Sequence, residues 1–201
     1  MPSAETLIIP VEKLPSQGYG YTFSTIEVPP LVYADILEYQ KELQGSKNSL
    51  SDFLIMLKHL LLPLHNGDRI SLYDATALLS LRSFASVCKD LTAPMTINYL
   101  CPIHNKQEQL QVTMENISFG KLDKAFKKIK AVKLKDKERN IFIPTIAQFN
   151  TLANSIKTLL PANNALRYLY ILSMFQDAYE EDKVTELVND FMTADTDDIF
   201  T

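Results

Sequence analysis

Cys101-Pro-Ile-His104 is the most chemically suggestive spacing in this chain. Two residues between a thiol and an imidazole is the separation found in half of a zinc knuckle, where one tight turn brings both ligands to a single ion. Structural zinc takes four ligands. The remaining thiol and imidazoles, Cys88, His59 and His65, form no second close pair. The expectation is therefore a hairpin tip that holds no metal, with Cys101 buried as a small apolar residue.

Nucleophilic catalysis needs a Ser or Cys beside a base that a third group orients. The chain has three histidines. His59 falls in a helical run of leucines, which predicts a packed, hydrogen-bonded role, and His65 and His104 fall in turns. No GxSxG, HExxH or P-loop spacing occurs. Glycine is too scarce, at five residues, to build a phosphate cradle. Glu180, Glu181 and Asp182 form a carboxylate run at a helix end, the usual place for a solvated surface. No catalytic residue is assigned, no cofactor is expected, and the chain reads as a non-enzyme.

Charge is unevenly spread. Residues 121–139 hold nine Lys or Arg against three acids, and residues 177–201 hold nine acids and one Lys. The net charge of -4 argues against a dedicated nucleic-acid binder. Phe126 is the only aromatic residue in the basic stretch, so it offers no stacking platform for single strands. A solvated or partner-facing charged hairpin is the expectation there. Opposite patches on one subunit can also steer docking.

The elements that position these residues follow from periodicity. Leu7, Ile8 and Ile9, and then Tyr21 to Val28, read as two strands around a Pro-Ser-Gly turn. Val32, Ile36, Tyr39 and Leu43 share one helical face. Leu50, Phe53, Leu54, Leu57 and Leu61 share the next, with Ser49 as the predicted N-cap. A third helix is predicted from Leu72 to Val87, with Ser71 and Asp74 as cap and capping-box acid. Arg82 lies near its apolar stripe, which predicts a snorkelling stem with a wet guanidinium; the alternative is a buried partner carboxylate. The period then changes to two. Ile97, Tyr99, Leu110 and Val112 predict a hairpin with one buried face. A second hairpin is predicted with its turn at 136–140, and Thr145 opens a helix with the stripe Ile146, Phe149, Ala153, Ile156, Leu160. A long apolar helix from Asn164 to Tyr179 and a short one at 184–192 complete the set.

Several of these stretches resemble one family. LPSQGYGY at residues 14–21 is similar to the LPS-x-G-x-x-Y turn of tail proteins from T-even-type phages. SLYDATALLSLRSFASV followed by INYLCPIHNKQEQLQVTM resembles the baseplate central-hub protein of those phages. In that family a helix with an Arg-Ser pair, here Arg82-Ser83, leads into a hairpin with a CPxC-like tip. A charged hairpin then ends in a Pro-Thr helix start, here Pro144-Thr145, and an apolar helix ends in an acidic Asp-x-Tyr segment, here 177–181. The tip departs from the pattern, with His104 in place of the second cysteine. The resemblance implies a non-enzymatic hub component or hub-assembly factor of a contractile-tailed phage. Such a protein is made in the host cytoplasm and then built into the virion baseplate.

The expected architecture is α+β, mostly helical, with two or three β-hairpins forming a small antiparallel sheet. Residues 1–30 read as an extended N-terminal hairpin or arm. Residues 31–192 read as a single domain containing the central hairpin 94–115, the basic hairpin 121–143 and C-terminal helices 145–192. Residues 193–201 read as an acidic tail. The docking residues expected from the sequence are Leu14, Pro15, Ser16, Gly18, Tyr21, Lys127, Lys128, Lys133 and Phe200. Expected partners are other phage tail or baseplate proteins, in a homo-oligomer or hetero-assembly, without nucleic acid or membrane. A nucleic-acid-binding or regulatory module using residues 121–139 is the alternative.

Overall fold

The computed structural model describes residues 6–87, 94–113, 118–124, 126 and 130–194. The architecture is α+β: six α-helices and three two-stranded antiparallel sheets among the described residues. The hairpins do not join into one sheet. Each stands alone.

Strands β1 (Leu7–Pro10) and β2 (Thr25–Val28) pair with Leu7 opposite Val28 and Ile9 opposite Ile26. All four of these side chains are buried in the main core. The N-terminal hairpin is thus a wall of the core and not a free arm, because period-two alternation gives it one fully apolar face.

Helices α1 (Tyr33–Gln44) and α2 (Ser49–Leu60) form an antiparallel pair. The N-cap of α2 is Asn48, whose side chain accepts from Ser51 N at 2.9 Å, and not Ser49. Helix α1 buries no residue fully. Ile36, Tyr39 and Leu43 are half-buried on its inner side, while Val32, Tyr33 and Leu37 are exposed. The turn at Gly67 runs against the carbonyls of Leu61 and Leu62. A Cβ built there would lie 2.4 Å from Leu61 O, so only glycine fits.

The third helix starts later than its sequence suggests. Residues Leu72–Asp74 form a 3-10 turn, and α3 spans Ala75–Val87. Arg82 on this helix is only 4% exposed, so it does not snorkel. Its Nε donates to Pro29 O at 3.1 Å, Nη1 donates to Leu60 O, and Nη2 lies 3.5 Å from Asp35 Oδ2. Burial pulls the guanidinium below its ordinary pKa, and Asp35 opposes that shift. One planar cation thereby ties the segment just after β2, α1 and α2 to α3.

Strands β3 (Met95–Leu100) and β4 (Gln107–Val112) form the central hairpin, with Ile97 opposite Leu110 and Tyr99 opposite Glu108. The face expected to be buried is not: Ile97, Tyr99 and Leu110 are exposed and Val112 is half-buried. Alternation correctly finds the two-faced hairpin. It does not show that another element covers the apolar face, and none of the hairpin's described residues joins the core cluster.

Strands β5 (Ala131–Leu134) and β6 (Lys137–Asn140) meet at Lys135-Asp136, where both residues have positive φ (49° and 63°), a type I′ geometry. The turn precedes the predicted one because Lys-Asp lacks the Asn-Gly signature. Helix α4 (Ile146–Ile156) is opened by a capping box between Thr145 and Gln148, and Ile146, Phe149, Ala153 and Ile156 are buried on it. The long apolar run is broken. Helix α5 (Ala165–Leu172) stops where Phe142 N donates to Met174 O and Ile141 bridges Phe175, and a 3-10 turn Gln176–Tyr179 follows. Extended pairing takes the backbone groups that another helical turn would use. Helix α6 (Val184–Thr193) closes the fold on α5, with Tyr168 edge-on to Phe191 at 5.6 Å. Phe53, Phe149 and Tyr170 form the aromatic centre of the core, with centroid separations of 5.6 to 6.3 Å. No helix among the described residues is long and apolar enough to cross a membrane.

Candidate functional site

Three places gather polar or reactive side chains: the N-terminal turn, the basic hairpin and the tip of the β3–β4 hairpin.

The LPSQGYGY turn is folded onto the chain itself. Asp74, fully buried, accepts from Ser16 N at 2.7 Å, Ser16 Oγ at 2.6 Å and Tyr21 Oη at 2.8 Å. Tyr21 Oη in turn accepts from Ser71 N at 3.1 Å. Asp74 therefore holds a turn 58 residues away instead of capping its own helix. Burial pushes the Asp74 carboxyl up, and the Ser16 and Tyr21 hydrogen bonds oppose that rise. Burial, together with the Asp74 charge, also pushes the Tyr21 phenol up. Leu14, Pro15 and Ser16 are buried and Gly18 and Tyr21 are half-buried, so these expected docking residues face inward. Gly18 has φ of +76°, a conformation that favours glycine. Pro15 O accepts from Leu122 N at 2.8 Å, which fastens the segment after the central hairpin to the same turn.

Part of the basic hairpin's charge is paired with the acidic C-terminal segment. Buried Arg139 donates to Asp177 through Nη1 and reaches Asp190 through Nη2 at 2.5 Å. Lys137 binds Glu186 and reaches Asp190 at 3.1 Å. Desolvation raises the Asp190 carboxyl, but hydrogen bonds from Lys137 and Arg139 outweigh it and hold the group below its usual range. The charge separation seen along the sequence is thus used at least partly within the chain. Lys133 stays on the outer side, 3.4 Å from Asp136. Lys127, Lys128 and Phe200 lie outside the described residues, as does Cys88.

At the hairpin tip, backbone bonds close the loop: Cys101 N donates to Lys106 O at 2.9 Å and Asn105 N to Cys101 O at 2.8 Å. Asn105 has φ of 51°, the left-handed region that asparagine tolerates. Cys101 is buried, as expected. Its Sγ lies 3.5 Å from His104 Nδ1, and the same Nδ1 lies 3.6 Å from Glu108 Oε1. The other carboxylate oxygen, Oε2, accepts from Tyr99 Oη at 2.8 Å. Glu108 is the residue that the sequence reading missed. Register explains its arrival: Glu108 pairs with Tyr99, and Cys101 follows Tyr99 by two, so all three share one face.

A Cys, a His and an acid could form a nucleophilic triad. In such a relay the nucleophile and the orienting acid take opposite ring nitrogens. Here both contacts converge on Nδ1, so the arrangement is not that relay. A partly open apolar cleft of about 200 Å³, lined by residues including Leu72, Phe126, Ile143 and Met174, lies elsewhere, and its described lining includes no Ser, Cys, His or carboxylate.

The hairpin also holds a concentration of exposed apolar surface. Of thirteen large apolar side chains that are substantially exposed among the described residues, five are on it: Ile97, Tyr99, Leu100, Ile103 and Leu110. Ile97, Tyr99 and Leu110 share one face of the hairpin. An isolated two-stranded hairpin is marginal in water, and exposed apolar surface on one face marks a contact surface.

Comparison with protein-family models, with curated proteins and with solved structures finds no match to this chain.

Proposed function

We propose that this chain is a non-enzymatic structural or assembly component of a phage tail baseplate hub, acting through protein–protein contacts. The observation that carries the reading is the projecting β3–β4 hairpin, whose apolar face of Ile97, Tyr99 and Leu110 is bare in the single chain. A folded domain that leaves such a face uncovered fits a protein completed by its neighbours. The choice of neighbours rests on the resemblance of residues 14–21, 71–87 and 97–114 to phage hub proteins. In this reading the protein is made in the host cytoplasm and then joins the baseplate. The docking surface moves from the buried N-terminal turn to the central hairpin.

The test is co-expression with hub and tail proteins of a contractile-tailed phage, followed by capture and sizing. The wild-type chain is expected to co-purify with at least one of them. Ile97→Asp with Leu110→Asp should lose that capture while keeping the wild-type melting temperature. A chain that stays monomeric and captures none of these proteins, or a double variant that binds as well as wild type, overturns the proposal.

A further inference from the structure

We propose that the tip of the β3–β4 hairpin is a zinc site formed by Cys101 Sγ, His104 Nδ1 and Glu108 Oε1, with a fourth position open to water. The three ligand atoms all lie within 4.8 Å of one another. With Zn–S near 2.3 Å and Zn–N near 2.0–2.1 Å, a tetrahedral site places neighbouring ligand atoms about 3.5 Å apart. The observed Sγ–Nδ1 and Nδ1–Oε1 separations are 3.5 and 3.6 Å. The first is also within hydrogen-bonding reach for sulfur, and the second is an ion-pair separation too long for a hydrogen bond. An ion between the imidazole and the carboxylate would bond to both.

The surroundings support the ligands. Tyr99 donates to the carboxylate oxygen that faces away from His104, which orients Oε1 toward the site as an outer-shell partner does. The loop is locked by the Cys101–Lys106 and Asn105–Cys101 backbone bonds, so the thiol and imidazole are placed before any ion arrives. Thiolate, imidazole and carboxylate together suit zinc and its tetrahedral stand-in cobalt(II) better than magnesium or calcium, which take oxygen donors. Ligation requires the thiolate and the neutral imidazole. The ion therefore displaces protons to solvent, and binding strengthens as pH rises. The site rests on the tip's own geometry and does not depend on the hub reading.

The experiment uses the full chain, stripped with a chelator, kept reduced and titrated with cobalt(II). One equivalent is expected to produce a thiolate-to-cobalt charge-transfer band and the visible bands of a tetrahedral ion, both removed by zinc. Cys101→Ser should abolish the charge-transfer band, and His104→Gln and Glu108→Gln should each weaken binding by about tenfold or more. Cys88→Ser should leave the titration unchanged. Far-ultraviolet circular dichroism of each variant should match wild type, because the tip lies outside the core. Absence of a thiolate–cobalt band at one equivalent overturns the proposal. So does wild-type binding by Cys101→Ser or Glu108→Gln, or loss of binding in Cys88→Ser.

Discussion

Asp74 and Arg82 show how single residues hold this fold. Each is a buried charge whose partners come from distant segments, and neither is solvated. Tyr21→Phe removes both the bond to Asp74 and the acceptor for Ser71 N, and Ser16→Ala removes one donor to the carboxylate. Each should cost about 1–3 kcal/mol, read from urea denaturation. Arg82→Ala leaves the Pro29 and Leu60 carbonyls unpaired and should cost about 3–5 kcal/mol. Lysine should not rescue it, since one ammonium cannot span two carbonyls and a carboxylate. Sequence alone places Arg82 on the right helix but puts Asp74 inside a helix that starts one residue after it, and it misjudges what both touch. Local spacing makes Asp74 look like a capping acid, because a 58-residue contact leaves no local trace. Glu108 escapes notice for a related reason. Its role depends on strand register, and a carboxylate among glutamines on a polar strand carries no pattern of its own.

At the scale of elements, the type I′ turn of the basic hairpin puts two ordinary side chains at positive φ. Replacing Lys135-Asp136 by Asn-Gly should raise stability by about 0.5–1 kcal/mol, measured as a higher urea midpoint with an unchanged slope. The same hairpin predicts an acid response. The folded Asp190 carboxyl is held below its ordinary value of 3.8, so the stability it contributes is present above that value and is lost as pH falls through the folded one. Melting temperature should therefore drop on acidification below pH 3.8. Asp190→Asn should be less stable near neutrality and show a smaller drop. Helices and hairpins were largely legible here because the change from helical to two-residue periodicity is local. What covers each apolar face was not, since alternation looks the same on β1–β2, which is buried, and on β3–β4, which is bare.

For the whole molecule, the α+β class was readable from the order of elements, whereas the division into arm and domain was not. Ser16 and Tyr21 are bonded to Asp74, and Pro15 to Leu122, so the N-terminal turn is part of the same unit as the middle of the chain. Deleting residues 1–30 should give an unfolded or aggregated product, seen as loss of the cooperative thermal transition, because it strips Ile9, Leu14, Ile26 and Val28 from the core. The bare hairpin divides the molecule in another way. No described element shields its interstrand bonds with a second layer, so they can open without the core opening. Amide exchange should sort the chain into two classes. Protons paired between β3 and β4 should leave early and independently of global stability, while those paired between β1 and β2 wait for the whole fold to open. Whatever seats itself on the hairpin, whether a neighbouring protein on its face or an ion at its tip, should then appear as slowing confined to the fast class.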